Sequence, residues 1–184
     1  MVNNSQLHKI KSLFLDCFQS DDQTRISEDS LDDNGIPFHM ERSIVGHHSL
    51  DYVIYRFDPT RTTLFPYFTD IKHMKKMCDY IVFIENDEEL FVLLIELKKG
   101  SAADAKKQLE MSEGFVEFVL NRACQAGVVI EKNHQIRKIA ITDSFTAKKE
   151  TMFYRDFHYD VSKYTLIQSK SDLRLAYLTN APIK

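Results

Sequence analysis

Long apolar runs are missing from this chain. No stretch approaches the roughly 18 residues that a membrane-spanning helix requires. The N-terminus, MVNNSQLHKIKSLF, is polar where a secretory leader would carry an apolar core. A cytoplasmic protein is therefore expected. Cysteine is also scarce. Cys17, Cys78 and Cys124 stand far apart, with no CxxC pair and no tight Cys/His cluster. That excludes a structural zinc site of the usual spacing and points to reduced, partly buried thiols. Tryptophan is absent, and there is no internal repeat, low-complexity segment or Pro/Gly-rich linker to mark a domain boundary. The net charge is only −3, far from the strongly basic balance of many nucleic-acid binders.

What is present fits one globular domain spanning 1–184, with 43% hydrophobic and 28% charged residues. Charge is unevenly distributed. Residues 1–97 hold 9 Lys+Arg against 17 Asp+Glu, whereas residues 98–184 hold 15 against 10. The basic half begins at a Glu-Leu-Lys corner and could face a polyanion, or it could be ordinary surface scatter.

The periodicity of residues 5–19, with Leu7, Ile10, Phe14, Cys17 and Phe18 at helical spacing, predicts an N-terminal amphipathic helix. Residues 20–35 are acidic and turn-rich and read as a loop, with room for a short helical piece. Their DSLDDNG segment lacks the ligand spacing and terminal Glu of an EF-hand. Strands are expected at 49–57, about 79–85, 90–97 and 137–142. A long helix starts at Ser101, where Ser101 and Asp104 fit a capping box. It carries a buried stripe of Ala105, Leu109, Ser112, Val116, Val119, Leu120 and Ala123, and Gly127 stops it. The tail segments YTLIQS and RLAYLT read as two more strands. The expected class is α/β, a mixed sheet flanked by helices, with an N-terminal helix, a core over about 40–145 and a C-terminal β appendage.

The most informative stretch is Cys78–Gly100, CDYIVFIENDEELFVLLIELKKG. Its second apolar run is hydrophobic on both alternating faces, as in an interior strand, yet it ends by placing Glu96 and Lys98 on one face. A turn centred between Asp87 and Glu88 pairs Glu85 with Leu90. Counting back puts Asp79 opposite Glu96, with Cβ atoms about 5 Å apart. A one-residue slip would send Asp79 to the other face. Two carboxylates so close at the edge of an apolar sheet repel one another, and a divalent cation relieves that repulsion. An Asp, a Glu and a Lys converging at a strand end suit metal-assisted phosphodiester hydrolysis.

Asp79, a 16-residue gap, then Glu96-Leu97-Lys98, on a hairpin followed by a helix and a further strand, resembles the PD-(D/E)xK nuclease superfamily over roughly residues 70–145. The resemblance implies a restriction-endonuclease-like core and an Mg²⁺- or Mn²⁺-dependent endonuclease. Asp79 and Glu96 would be metal ligands and Lys98 the catalytic lysine. Gln108 matches a glutamine that several branches use to hold the site or the substrate. Cleavage would leave a 5′-phosphate and a 3′-hydroxyl. Cys78 stands where the family usually has proline. Asp16 and Glu41 are the candidates for the acidic residue that many members carry earlier in the chain.

Lys99, Lys106 and Lys107 flank the site and would contact phosphates, or else form a solvated face. Tyr52, Tyr55, Phe57, Phe65, Tyr67 and Phe68 are core and sheet cover, or platforms for unpaired bases. His47 and His48, adjacent on an extended chain, would point to opposite faces and are assigned ordinary polar roles. The expected partner is nucleic acid, DNA before RNA. With no recognisable DNA-reading module, targeting is expected from a homodimer or from a larger complex, in restriction, recombination or phage defence. Two alternatives stay open. One is a catalytically inactive nuclease-like scaffold or nucleic-acid-binding subunit, and the other is an RNA endonuclease.

Overall fold

The computed structural model describes residues 5–31, 35–46, 50–57, 65, 67–69, 71, 73–85, 89–99, 105–128, 134–142, 165–168 and 172–180. The fold is mixed α/β, built on two mixed sheets. The larger has the order β3-β4-β5-β6-β7, where β3 is Asp51–Arg56, β4 Tyr80–Glu85, β5 Leu90–Lys98, β6 His134–Thr142 and β7 Thr165–Gln168. The first three strands are antiparallel; β5, β6 and β7 run parallel. The crossover from β5 to β6 contains helix α2, Ala105–Gln125.

β5 is the central strand, and every residue from Leu90 to Leu97 is buried. Its alternation sorts the molecule into layers. Val92 and Leu94 face a core closed by α2 and by helix α1 (Gln6–Lys11), with Leu109, Val116 and Leu120 packed above them. Phe91, Leu93, Ile95 and Leu97 face a second core, closed by a smaller sheet of β1 (Arg25–Leu31), β2 (Pro37–Val45) and β8 (Leu173–Arg174) together with helix α3 (Leu175–Asn180).

Four expectations are corrected. Residues 20–35 are not simply a loop, because β1 pairs antiparallel with β2 from Arg25↔Ser43 to Leu31↔Pro37. Ile26 is its one fully buried side chain, so the strand rests on backbone ladder bonds and carries almost no apolar alternation. RLAYLT is mostly helix. Leu175, Leu178 and Thr179 are buried at three- and four-residue spacing, the period of α3. The C-terminal strands do not form an appendage either, since β7 extends the main sheet and β8 pairs with β2 in the other. The first helix ends at Lys11, earlier than its periodicity suggests. Beyond Ser12 the chain is irregular, with a 3-10 turn at Asp16–Phe18, but Phe14 still packs against Tyr55, Phe57, Phe83 and Phe115.

The long helix matches its expected stripe, with Val119 only half-buried. Its C-terminus is a Schellman turn: Gly127 sits at φ +72°, its N–H donates to Cys124 O, and the Val128 N–H donates to Ala123 O. The proposed Ser101–Asp104 cap lies outside the described residues. α1 is anchored from a distance. The Glu85 carboxylate at the end of β4 accepts from the Gln6 and Leu7 N–H groups at 2.9 Å each and from the Ser5 hydroxyl. This carboxylate serves two of the helix's otherwise unpaired donors. Glu85→Ala should therefore lower the unfolding free energy by about 1–3 kcal/mol, measured by urea denaturation, with the strands of the main sheet retained.

Candidate active site

The β4–β5 ladder runs from Glu85↔Leu90 to Tyr80↔Ile95, the register expected from the sequence, and its next rung is Asp79 opposite Glu96. Side chains complete the ladder there. The Asp79 N–H donates to Glu96 Oε2 at 3.2 Å, and the Leu97 N–H donates to Asp79 Oδ2 at 2.7 Å. Both carboxyl groups thus lie at the strand end, on the α2 side of the sheet. Lys98 Nζ lies 2.5 Å from Glu96 Oε1 and donates to Gln108 Oε1 at 2.9 Å. The structure brings all four of Asp79, Glu96, Lys98 and Gln108 together.

Helix α2 does the positioning. Gln108 Nε2 donates to the Met77 carbonyl at 3.2 Å while its oxygen holds Lys98. One turn on, Ser112 Oγ accepts from the Cys78 N–H at 2.7 Å and donates to Gln108 O at 2.8 Å. Gln108 and Ser112 lie four apart on one helix face, so a single turn fixes both the end of β5 and the residues entering β4. Ser112 was visible in the sequence only as a polar residue within an apolar stripe, and nothing there assigned it to Cys78. The Cys78 thiol is buried and donates to the Tyr80 carbonyl at 3.2 Å. Its pKa is raised, chiefly by burial, so the metal-free protein keeps it as a thiol.

The other candidates lie elsewhere. Lys99 alternates to the opposite face and lies 5.5 Å from the centre of the Phe38 ring. Lys106 and Lys107 are exposed and both reach Glu110, at 3.8 and 3.7 Å. Asp16 sits in the 3-10 turn and Glu41 on β2, 3.4 Å from Arg25. Among the described residues, no group of three His, Cys, Asp or Glu side chains gathers as a metal cluster. His47 and His48 lie outside the described residues. Tyr55 and Phe57 are core residues, and the half-buried Tyr52 donates its hydroxyl to the Gln23 carbonyl.

Glu96 dominates the electrostatics. Its side chain is 0% exposed, and its pKa is pushed up from 4.5 to about 8. Burial is the main cause and the neighbouring Asp79 charge the second; the Lys98 ammonium opposes both without prevailing. Among the described residues, Glu96 Oε1 has the Lys98 ammonium as its one polar contact. A buried carboxyl oxygen with one ionic contact, beside a second carboxylate, is a donor set that suits a hard divalent cation. Asp79 and Glu96 would hold it, with water and substrate oxygens completing the shell.

The raised pKa sets the pH dependence of the metal-free protein. Between pH 4.5 and about 8 the folded state keeps a proton on Glu96 that the unfolded chain has released. Stability should therefore fall as pH rises through that window, by up to about 1.4 kcal/mol per unit, and be flat on either side as far as this group is concerned. Glu96→Gln should remove that slope and leave the metal-free protein at least as stable at pH 8. Thermal melts in EDTA across the window measure both effects.

Among the described residues no helix is long and apolar enough to cross a membrane. No protein-family model, no curated protein and no solved structure matches this chain.

Proposed function

We propose that this chain is a metal-dependent nuclease that hydrolyses DNA phosphodiester bonds. The observation that carries the reading is the meeting of Asp79, Glu96 and Lys98 at the end of a strand otherwise buried on both faces. Uncompensated polar groups are costly in such a place. A purely structural strand end would be served better by apolar residues.

A bound divalent cation would polarise the phosphate and acidify a coordinated water. The protein's part follows from its own groups. An ammonium has three N–H donors; among the described residues Gln108 and Glu96 engage two, which leaves one for a phosphate oxygen or an attacking water. Lys98 is 26% exposed, enough for substrate to reach it. Held by Gln108, it places positive charge where the phosphorane-like transition state gathers negative charge. Attack by water forms one P–O bond and breaks the bond to the 3′ oxygen. That oxygen takes a proton, leaving a 3′-hydroxyl and a 5′-phosphate.

One observation favours the scaffold reading: Lys98 and Glu96 already satisfy each other in the substrate-free protein. Variants separate the two. Lys98→Ala should reduce single-turnover cleavage of DNA by about 10²-fold or more, the usual scale for losing one transition-state charge contact, while sparing metal binding. Asp79→Ala should abolish both. Millimolar Mn²⁺ should raise the melting temperature of the wild type but not of Asp79→Ala. Lys106→Ala, if that residue contacts phosphate, should weaken DNA binding and flatten its salt dependence without abolishing the cut. Wild-type protein that binds DNA but never cuts it would favour the scaffold. Cleavage that persists in Lys98→Ala and Asp79→Ala would mean that the chemistry lies elsewhere.

A further inference from the structure

The segment leading into Asp79 carries a cluster of rings that starts on the core at Phe65 and ends in solvent at Tyr67. Phe65 packs against Phe115 of α2, with ring centres 5.8 Å apart at 86°. Phe68 lies 5.5 Å from Phe65. Tyr67 meets Phe68 edge-on at 4.9 Å and Phe65 at 6.5 Å, yet remains 71% exposed. It is thus a braced aromatic ring presented to solvent. Single exposed apolar residues are ordinary on protein surfaces. This one differs in its brace, its position and its company.

The position follows from α2. Phe115 is seven residues beyond Gln108, about 10 Å along the helix. Gln108 holds both Lys98 and the Met77 carbonyl, so the chain that follows the rings ends at the strand-end site. Its backbone turns at His73, which sits at φ +70°. Non-glycine residues rarely adopt that conformation, and where they do the surrounding structure imposes it. Lys76 is exposed in the same segment.

We propose that Tyr67, braced by Phe65 and Phe68, is a stacking platform for an unpaired base, and that the preferred substrate is therefore single-stranded or locally unpaired nucleic acid. This inference rests on the nuclease reading and names the substrate class of that site. In a duplex the base faces are stacked on their neighbours and closed to a protein ring; in a single strand they are open. With a phosphodiester bond held at Lys98, neighbouring nucleotides of the same strand, spaced about 3.4 Å apart when stacked, supply the base that meets Tyr67. Tyr suits the role because a rigid ring with two torsions loses little entropy on contact.

The test is equilibrium binding of full-length protein in EDTA, at one fixed salt concentration, so that no cut intervenes. The probes are oligothymidylate, the same strand with abasic sites, and a duplex. Oligothymidylate should bind more tightly than duplex. Tyr67→Ala should weaken that binding by about 5- to 100-fold, the range that loss of one base–aromatic stack produces. Tyr67→Phe should restore it, and Tyr67→Ala should have no effect on the abasic strand. Tyr67 lies on the surface, so its removal leaves the core intact; unchanged thermal melts verify that. A Tyr67→Ala variant that binds oligothymidylate as wild type does, or an equal loss on the abasic strand, overturns the proposal. So does a change from dimer to monomer in Tyr67→Ala with oligonucleotide binding unaltered, which would make the ring a protein contact. A base-dependent loss in a protein that never cleaves with Mn²⁺ upholds the platform and refutes only the nuclease reading.

Discussion

The burial of one carboxyl group, that of Glu96, organises the most informative part of this molecule. β5 is apolar on both faces along almost its whole length, because a layer covers each side. A carboxyl at its end is removed from water before it can be solvated, and that strongly favours its neutral form. Everything near Glu96 answers this condition. The Asp79 backbone donates to it, Lys98 lies against it, and Gln108 holds Lys98. The β4–β5 ladder ends where these bonds begin. Past Tyr80↔Ile95, carboxylates accept the N–H groups that a longer hairpin would have paired with carbonyls. Strand register and site geometry are therefore one constraint, since a slip of one residue would unmake both.

Asp79 and Tyr80 divide the two faces between them. Asp79 turns to the α2 side and enters the site. Tyr80 turns to the other, where its hydroxyl accepts from the Ser27 N–H at 3.0 Å and donates to the Ser27 carbonyl at 2.7 Å. One phenol thereby satisfies both backbone groups of a residue in β1 and ties the smaller sheet to the strand that carries Asp79. Arg137 plays a comparable part for α3. Its guanidinium donates to the Leu178 carbonyl, near the helix C-terminus where a cation is favoured, and lies 5.0 Å from the Phe91 ring centre.

The parts of this arrangement that could be read in the sequence are those with a strong local period. The β4–β5 hairpin, its register, α2 and its glycine stop all follow from alternation, helical spacing or a turn signal, and the site rests on them. β1 could not be read that way. RISEDSL has one inward apolar residue, Ile26, and its stability comes from a partner strand and from Tyr80, both remote in sequence. RLAYLT suits alternation as well as a 3.6-residue period, and only the packing of Leu175, Leu178 and Thr179 decides for helix. The flanking lysines show what a strict use of the same rules would have given. Alternation already sends Lys99 to the face opposite Lys98, and Lys106 and Lys107 precede Glu110 at ion-pairing intervals. Proximity in sequence to a site was a weaker guide than the direction each residue faces.

Direction also explains how one helix can serve the site and the ring cluster together. Gln108, Ser112 and Phe115 are spaced by four and then three residues, so they lie along one stripe of α2. Gln108 fixes Lys98 and Met77, Ser112 fixes Cys78, and Phe115 seats Phe65. The segment that begins at the rings and ends at Asp79 is thus held at both ends by the same rigid rod. A helix with continuous backbone hydrogen bonds changes length very little, so the spacing between the anchor points Gln108 and Phe115 is set by the helical rise.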